Sequence, residues 1–358
     1  IRKSWLRNLM KKIMLSHGGG GEEMNSLINE TIFRIFDNEI LRESNDSAIL
    51  KFSDPCADES AKCSANLKPK FNGKLAFSTD SFVVTPIFFN GGDIGKIAAC
   101  GTINDLAMVG AEAKYLSCAL IVEEGLEIAE LERVLGSLAA VARENGVRIV
   151  CGDTKVVPRG KCDKIFINTS GIGEIVCEGV ELKSLRAGAK ILISGDVGRH
   201  GAVVLASREE LDLQSELKSD CKALVGAVKA LIEGGVKPLC MRDATRGGLS
   251  AVLNEWAKFS GLDILVREED IKVSDEVTGV CELFGFEPYE LANEGTFVLT
   301  VDEKDEARAL EILRKFDANA ASIGEILGAA NGRVILQNAY GSKRFLEAPK
   351  GELLPRIC

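Results

Sequence analysis

Four carboxylates stand where predicted elements end, the places from which side chains can converge. Asp80 lies in Ser78-Thr79-Asp80-Ser81, Asp105 closes Gly101-Thr102-Ile103-Asn104-Asp105, and Asp153 follows Gly152. Asp243 opens Arg242-Asp243-Ala244-Thr245-Arg246-Gly247-Gly248. Oxygen donors of this kind suit Mg²⁺, which binds through a few carboxylates together with substrate phosphates. Each Asp taken alone also reads as a helix cap or turn residue, and spacing does not show whether the four meet. Ser16-His17-Gly18-Gly19-Gly20-Gly21 leads into a helix, where a bare backbone and the first N–H groups can cradle an anion. No GK[ST] follows and no clear strand precedes, so it is neither a Walker A loop nor a dinucleotide fingerprint. A flexible linker remains the other reading.

Lys155 follows Gly152-Asp153-Thr154, and Glu294 sits in Ala292-Asn293-Glu294-Gly295. A partly desolvated Glu there could act as a general base, or it could be a turn residue. The two histidines, His17 and His200, both fall in Gly-rich stretches without the soft neighbours a zinc site needs. A phosphate contact and a solvated loop His are both open. The cysteines number 11, an odd count without CxxC spacing, which excludes a disulfide framework. Cys100, Cys118 and Cys151 lie in apolar runs and are expected to be buried packing residues. Cys358 is different: it follows Leu354-Pro355-Arg356-Ile357 at the end of the sequence. It is an accidental end or a travelling thiol, and about 16 extended residues at ~3.3 Å each would carry it about 50 Å.

The elements that must hold these residues alternate in type. Met24, Leu27, Ile28, Thr31, Ile32, Ile35 and Phe36 mark an amphipathic helix over 24–36. Strand is expected over 74–89, helix over 94–109 with an interruption near Gly101, and strand over 114–122. Leu131, Val134, Leu135, Leu138 and Val141 form a helix closing at Asn145-Gly146, and Val147–Cys151 is a strand. Periodicity fades over 174–189, the expected domain boundary. Beyond it come strand 190–194, helices about 214–233 and 247–259, strand 296–301 and helix 303–316. This is a mixed α/β (α+β) chain of two domains: an N-terminal one over 16–177 and a C-terminal one over 185–340. From 341 to 358, Pro349, Gly351 and Pro355 are expected to break regular structure and leave a flexible tail.

The 358 residues suffice for two cores. No apolar run approaches the ~18 residues of a membrane span, and a formal charge of −9 argues against a nucleic-acid coat. Residues 1–15 carry Arg2, Lys3, Arg7, Lys11 and Lys12 and no acidic residue. This basic extension lacks a long apolar core of a signal segment and is placed outside the fold. Reduced cysteines fit a cytoplasmic setting.

Together the segments resemble the hydrogenase maturation factor HypE family, of the superfamily of aminoimidazole ribonucleotide synthetase, selenophosphate synthetase and thiamine monophosphate kinase. The resemblance runs from about Ser16 to Cys358. It is carried by His17–Gly21, Phe77–Ser81, Ile94-Gly95-Lys96 with Gly101–Asp105, Gly152–Val157, Arg242–Gly248, Ala292–Gly295 and the closing Pro355-Arg356-Ile357-Cys358. Arg199 departs from the acidic residue expected in its loop. The resemblance implies a two-domain aminoimidazole ribonucleotide synthetase-like fold whose N-terminal sheets pair in a homodimer, with the nucleotide site built across it.

It further implies ATP and Mg²⁺ as cofactors and dehydration of an S-carbamoylated terminal cysteine to a thiocyanate, for the iron centre of a [NiFe] hydrogenase. The nucleotide would be held by His17, Gly18, Gly19, Gly20, Gly21, Asp80, Lys96, Asn104 and Thr154. Mg²⁺ would be held by Asp80, Asp105 and Asp243, with Asp153 a further candidate. Cys358 would carry the carbamoyl group, Glu294 would accept protons and Lys155 would stabilise developing charge. Implied partners are the carbamoyltransferase HypF and a HypC–HypD scaffold, with no nucleic acid and no membrane. Two other readings make different predictions. A small-molecule synthetase of the selenophosphate or aminoimidazole ribonucleotide type would survive deletion of Pro355–Cys358. A non-catalytic module displaying a thiol would tolerate replacement of Glu294 and Asp105.

Overall fold

A computed structural model describes residues 12–13, 27–38, 74–208, 216–329, 331–349 and 356–358. His17, Gly18, Gly19, Gly20 and Gly21 lie outside the described residues, as do most of the basic extension and residues 350–355 of the tail. Of the expected first helix, Ile28–Phe33 and Arg34–Phe36 are helical, the first of them π-helical.

The N-terminal domain is built on a four-stranded sheet that its described helices cover on one face, with a small two-stranded sheet beside it. Its strands and helices are β1 (Leu75–Phe82), the short β2 (Phe88–Phe89) and β3 (Gly92–Asp93), α1 (Ile94–Met108), β4 (Ala111–Glu123), α2 (Ile128–Glu144), β5 (Arg148–Val157) and β6 (Ile165–Ile175). The sheet order is β1-β6-β4-β5, with β4 and β5 parallel and the other neighbours antiparallel. Helix α1 is buried on nearly every side because it lies between this sheet and α2. Gly101 does not interrupt it. The glycine is there because a Cβ would stand 2.8 Å from the Phe82 ring, so the helix can approach β1 closely. Asp93 caps α1 by accepting from the Lys96 N–H at 3.0 Å, and Ser137 of α2 donates to its other oxygen. Leu131, Val134, Leu135, Leu138 and Val141 are all buried, as their 3.6-residue spacing requires.

The C-terminal domain is built on a seven-stranded sheet. In chain order come β7 (Lys190–Ile193), α3 (Arg199–Ala206), α4 (Val225–Glu233), β8 (Cys240–Asp243), α5 (Gly248–Ser260), β9 (Leu262–Arg267) and α6 (Asp275–Phe284). Then follow β10 (Phe297–Val301), α7 (Glu303–Leu313), β11 (Ala321–Ala329), β12 (Val334–Gln337) and β13 (Lys343–Phe345). The order is β13-β12-β9-β11-β7-β10-β8. Strand β13 overturns the expectation of irregular chain from 341 onward: it returns antiparallel onto β12 after a turn closed by Asn338. The expected helix over 214–233 begins at Val225, since residues 216–224 run irregularly past the domain junction. There the Asn104 side chain of α1 donates to the Lys222 carbonyl and accepts from the Leu224 N–H, at 3.1 and 2.8 Å. One amide thereby ties the two domains together.

Strand alternation decides what faces the helices. Phe82, Ile167, Leu120 and Thr154 share one cross-strand row, and Asp80, Thr169, Cys118 and Gly152 the row two residues along on that same face. Ser81, Asn168, Ala119 and Asp153 form the row between them on the opposite face. That opposite face leaves Leu75, Phe77 and Ile121 46%, 69% and 43% exposed. Cys151 is exposed there too, against the expectation of burial: its apolar run is a strand whose register turns this thiol outward.

Candidate active site

Four elements from both domains deliver carboxylates to one place: Asp80 from β1, Asp105 from α1, Asp243 from the end of β8 and Glu294 from the turn before β10. Ser78 donates to Asp105 at 2.7 Å, and the Ser81 N–H to Asp80 at 2.8 Å. Burial raises Asp80, which the Arg246 charge and the Ser81 bond oppose. Burial also raises Asp105, and the neighbouring Asp80 charge adds to it. Asp243 is pushed up to about 7 by burial, then by Asp105 and Asp80, against Arg242. Their mutual repulsion is evidence of proximity.

Glu294 is 2% exposed, and its Oε1 has no hydrogen-bond partner among the described residues. Burial, followed by Asp243, Asp220, Cys100 and Asp80, holds it well above the usual carboxylate range. An orphaned buried carboxylate oxygen is costly, so its position must be enforced by its surroundings. Asp220 does this: Oδ1 accepts from the Glu294 N–H at 3.1 Å, and Oδ2 accepts from the Gly295 N–H and the Asn293 side chain, both at 3.0 Å. Gly295 is required because a Cβ would overlap the Asp220 carbonyl oxygen.

The final residues reach this place. Ile357 bridges Val84 in antiparallel fashion, with the Val83 N–H donating to the Cys358 main-chain oxygen at 3.0 Å and the Thr85 N–H to Arg356 O at 3.1 Å. Ile357 is 5% exposed. Arg356 takes φ +59°, a left-handed conformation rare outside glycine, and its Nε pairs with Asp163 at 3.0 Å. Burial pushes the Cys358 thiol up to about 12, with Glu294 adding to the rise and a hydrogen bond and charge from Arg246 opposing it. A cavity of about 490 Å³ opens beside the thiol, walled by Thr79, Asp80, Asn168 and Arg246 among others. The described end of the expected flexible tail is therefore docked, because two β-type hydrogen bonds and one apolar side chain secure it.

His200 is neither a phosphate contact nor a solvated loop residue. It is fully buried in the first turn of α3, where burial lowers its pKa. Its Nε2 donates to the Ile357 carbonyl at 2.8 Å, and its Nδ1 meets Ser219 Oγ at 2.8 Å. Arg199 is held by Asp196.

The remaining expected residues are placed elsewhere. Lys155 and Asp153 pair with each other at 2.8 Å on the bare face of β5, three strands or about 14 Å from β1. Thr154 points the other way and is 4% exposed. Asn104 is engaged at the domain junction, and Lys96 donates to the Gly91 carbonyl at 2.9 Å. Asp220, Arg246 and the role of His200 were missed. Arg246 lies within Arg242–Gly248, whereas Asp220 and His200 act through partners distant in sequence.

The oxygen donors suit a hard cation. Among the described residues no three His, Cys, Asp or Glu side chains are disposed as a ready cage, so such an ion would need phosphate oxygens as well.

Comparison with known proteins gives a consistent picture. The AIR synthase related protein, N-terminal domain family matches residues 61–175, and the AIR synthase related protein, C-terminal domain family matches residues 186–337. Carbamoyl dehydratase HypE of Escherichia coli (strain K12) is 44% identical over 355 residues, covering 98% of this chain and 100% of that protein. A crystal structure of hydrogenase maturation protein HypE in complex with ATP superposes with a TM-score of 0.87 at 41% identity, covering 96% of this chain and 99% of that one. The crystal structure of a HypE–HypF complex matches with a TM-score of 0.73 at 39% identity over 90% of this chain and 100% of that one.

Proposed function

Since the chain belongs to the carbamoyl dehydratase HypE family, we propose that its substrate is its own Cys358 bearing a carbamoyl group. The chain is an ATP-dependent dehydratase of hydrogenase maturation, and a HypF-type protein is its partner. The observation that carries the finer reading is the docking of Ile357-Cys358 beside Asp80, Arg246 and Glu294.

An amide oxygen leaves poorly, so ATP phosphorylates the carbamoyl oxygen and phosphate becomes the leaving group. The C–O bond then breaks as both N–H protons depart, giving a thiocyanate, ADP and phosphate. One proton ends on phosphate and one is released. Arg246 would face the developing charge from the cavity wall, and Glu294, which burial makes a strong acceptor once it is ionised, would take the nitrogen protons. Asp80, Asp105 and Asp243 would hold Mg²⁺, which when bound neutralises phosphate charge. Positioning does the rest.

The bare sheet face supports a homodimer. An apolar patch containing a 69% exposed Phe77 suits a second copy, and Asp153 and Lys155 on that face would approach the other copy's site. The cyano group would pass to a HypC–HypD scaffold in the cytoplasm. Mass spectrometry of the carbamoylated chain with Mg·ATP tests the reading: loss of about 18 Da, one water, from the Cys358 peptide is expected. An unchanged mass overturns it, as does turnover that survives deletion of Pro355–Cys358.

A further inference from the structure

His200 bonds to Ile357 O through Nε2 and to Ser219 Oγ through Nδ1, so its two ring nitrogens reach both sides of the reaction. A carbonyl only accepts, so Nε2 carries the proton that binds Ile357 O at 2.8 Å. Nδ1 then accepts from the Ser219 hydroxyl, whose oxygen in turn accepts from the Cys221 N–H at 3.1 Å. This chain fixes one tautomer. Ser219 adjoins Asp220, which holds the Glu294 and Gly295 N–H groups. Next along α3, the Gly201 N–H donates to the Ala292 carbonyl at 2.9 Å, in the same turn as Glu294. Phe89 meets the imidazole edge-on at 5.3 Å between centroids and limits its rotation.

The imidazole is therefore a rigid spacer between the peptide that carries Cys358 and the turn that carries Glu294. We propose that His200 is a positioning residue for the dehydration, setting the carbamoylated thiol against its proton acceptor through the Ile357 carbonyl. This rests on the reading of Cys358 as substrate and Glu294 as base. The hydrogen bond adds a buried side-chain anchor to the two backbone bonds, the Ile357 side chain, the Arg356–Asp163 pair and the Arg246 contact that also hold the tail. Removing such a bond also leaves its buried partner unsatisfied, which costs more than the bond itself contributes. The effect on the docked population is about tenfold.

The test uses the full chain and three variants. His200→Phe keeps a ring and removes both bonds, His200→Gln restores a donor near Nε2, and Ser219→Ala frees the tautomer. The first readout is the rate of Cys358 alkylation by iodoacetamide, followed by peptide mass spectrometry, which needs no catalysis. The second is single-turnover dehydration of the carbamoylated chain, with ATP affinity measured separately. His200→Phe is expected to speed alkylation about tenfold and slow dehydration at least tenfold at unchanged ATP affinity. His200→Gln should stay within about threefold of the parent, and Ser219→Ala should speed alkylation about threefold. If His200→Phe fails to fold, the Gln and Ala variants decide.

Alkylation and dehydration within twofold of the parent in His200→Phe would overturn the proposal. Equal loss in the Phe and Gln variants together with lost ATP binding would also overturn it, as that marks a merely structural residue. A parent chain that keeps its mass with Mg·ATP overturns the dehydratase reading instead, and the alkylation rates still decide whether His200 holds the tail.

Discussion

The N-terminal sheet carries carboxylates at both of its edges, and they behave in opposite ways. Asp80, at β1, points to the helix-covered face, where it meets Asp105, Asp243 and Glu294 and all four are raised. Asp153, at β5, points to the bare face, where a hydrogen bond from Lys155 lowers it. Residue type is the same. What differs is water: the first group repels itself in a buried junction, and the second is solvated and paired. Desolvated like charges suit phosphate and cation chemistry, while an exposed pair on an open face has nothing to act on until something covers it.

The contrast is most sharply tested at Glu294. Glu294→Gln should slow dehydration at least 100-fold in single-turnover mass spectrometry while ATP still binds, and retention of a tenth of the parent rate would remove it as proton acceptor. On the bare face, Phe77→Asp should weaken self-association about 100-fold by sedimentation, with dehydration falling in parallel if Lys155 acts across the dimer. An unchanged sedimentation profile would leave that face without a role in assembly.

The cluster should also show in pH. Asp243 has a folded pKa of about 7 against an ordinary 3.8, so between those values the folded chain binds more protons than the unfolded one. Stability without Mg²⁺ should therefore fall as pH rises from about 4 through 7. A drop of several degrees in Tm is expected, reduced in Asp243→Asn and by added Mg·ATP. A Tm that rises over that range would show that the cluster is not self-repelling. The smallest effect belongs to the exposed pair: Lys155→Ala should change monomer stability by no more than about 0.5 kcal/mol in urea titration.

Much of the architecture was legible because it is local. The spacing of Leu131, Val134, Leu135, Leu138 and Val141 is itself the amphipathic face that packs, and Phe297–Val301 is a run interrupted only by Thr300 and buried throughout. Strand β13 was illegible because Lys343–Phe345 is three residues long and exposed throughout, with no buried face to mark it, and only the partner strand makes it a strand. In the site, Asp80, Asp105, Asp243, Glu294 and Cys358 were named from residue type and motif. Asp220 and the role of His200 escaped because their importance lies in hydrogen bonds to residues far along the chain.

By itself, then, the sequence determined the inventory: oxygen donors at element ends, a Glu in a Gly-flanked turn, a thiol after Pro355-Arg356-Ile357, and the motifs that carry family membership. Tertiary structure alone decided which of these share a site. A strand reverses faces at every residue, so register separates Asp80 from Asp153, and Thr154 from Lys155. The packing of two domains around α1 brings four carboxylates together. The segment just after β1, Val83–Thr85, receives the tail that the Pro-broken sequence left unplaced. Local spacing encodes local shape, whereas convergence depends on which buried surfaces close on one another.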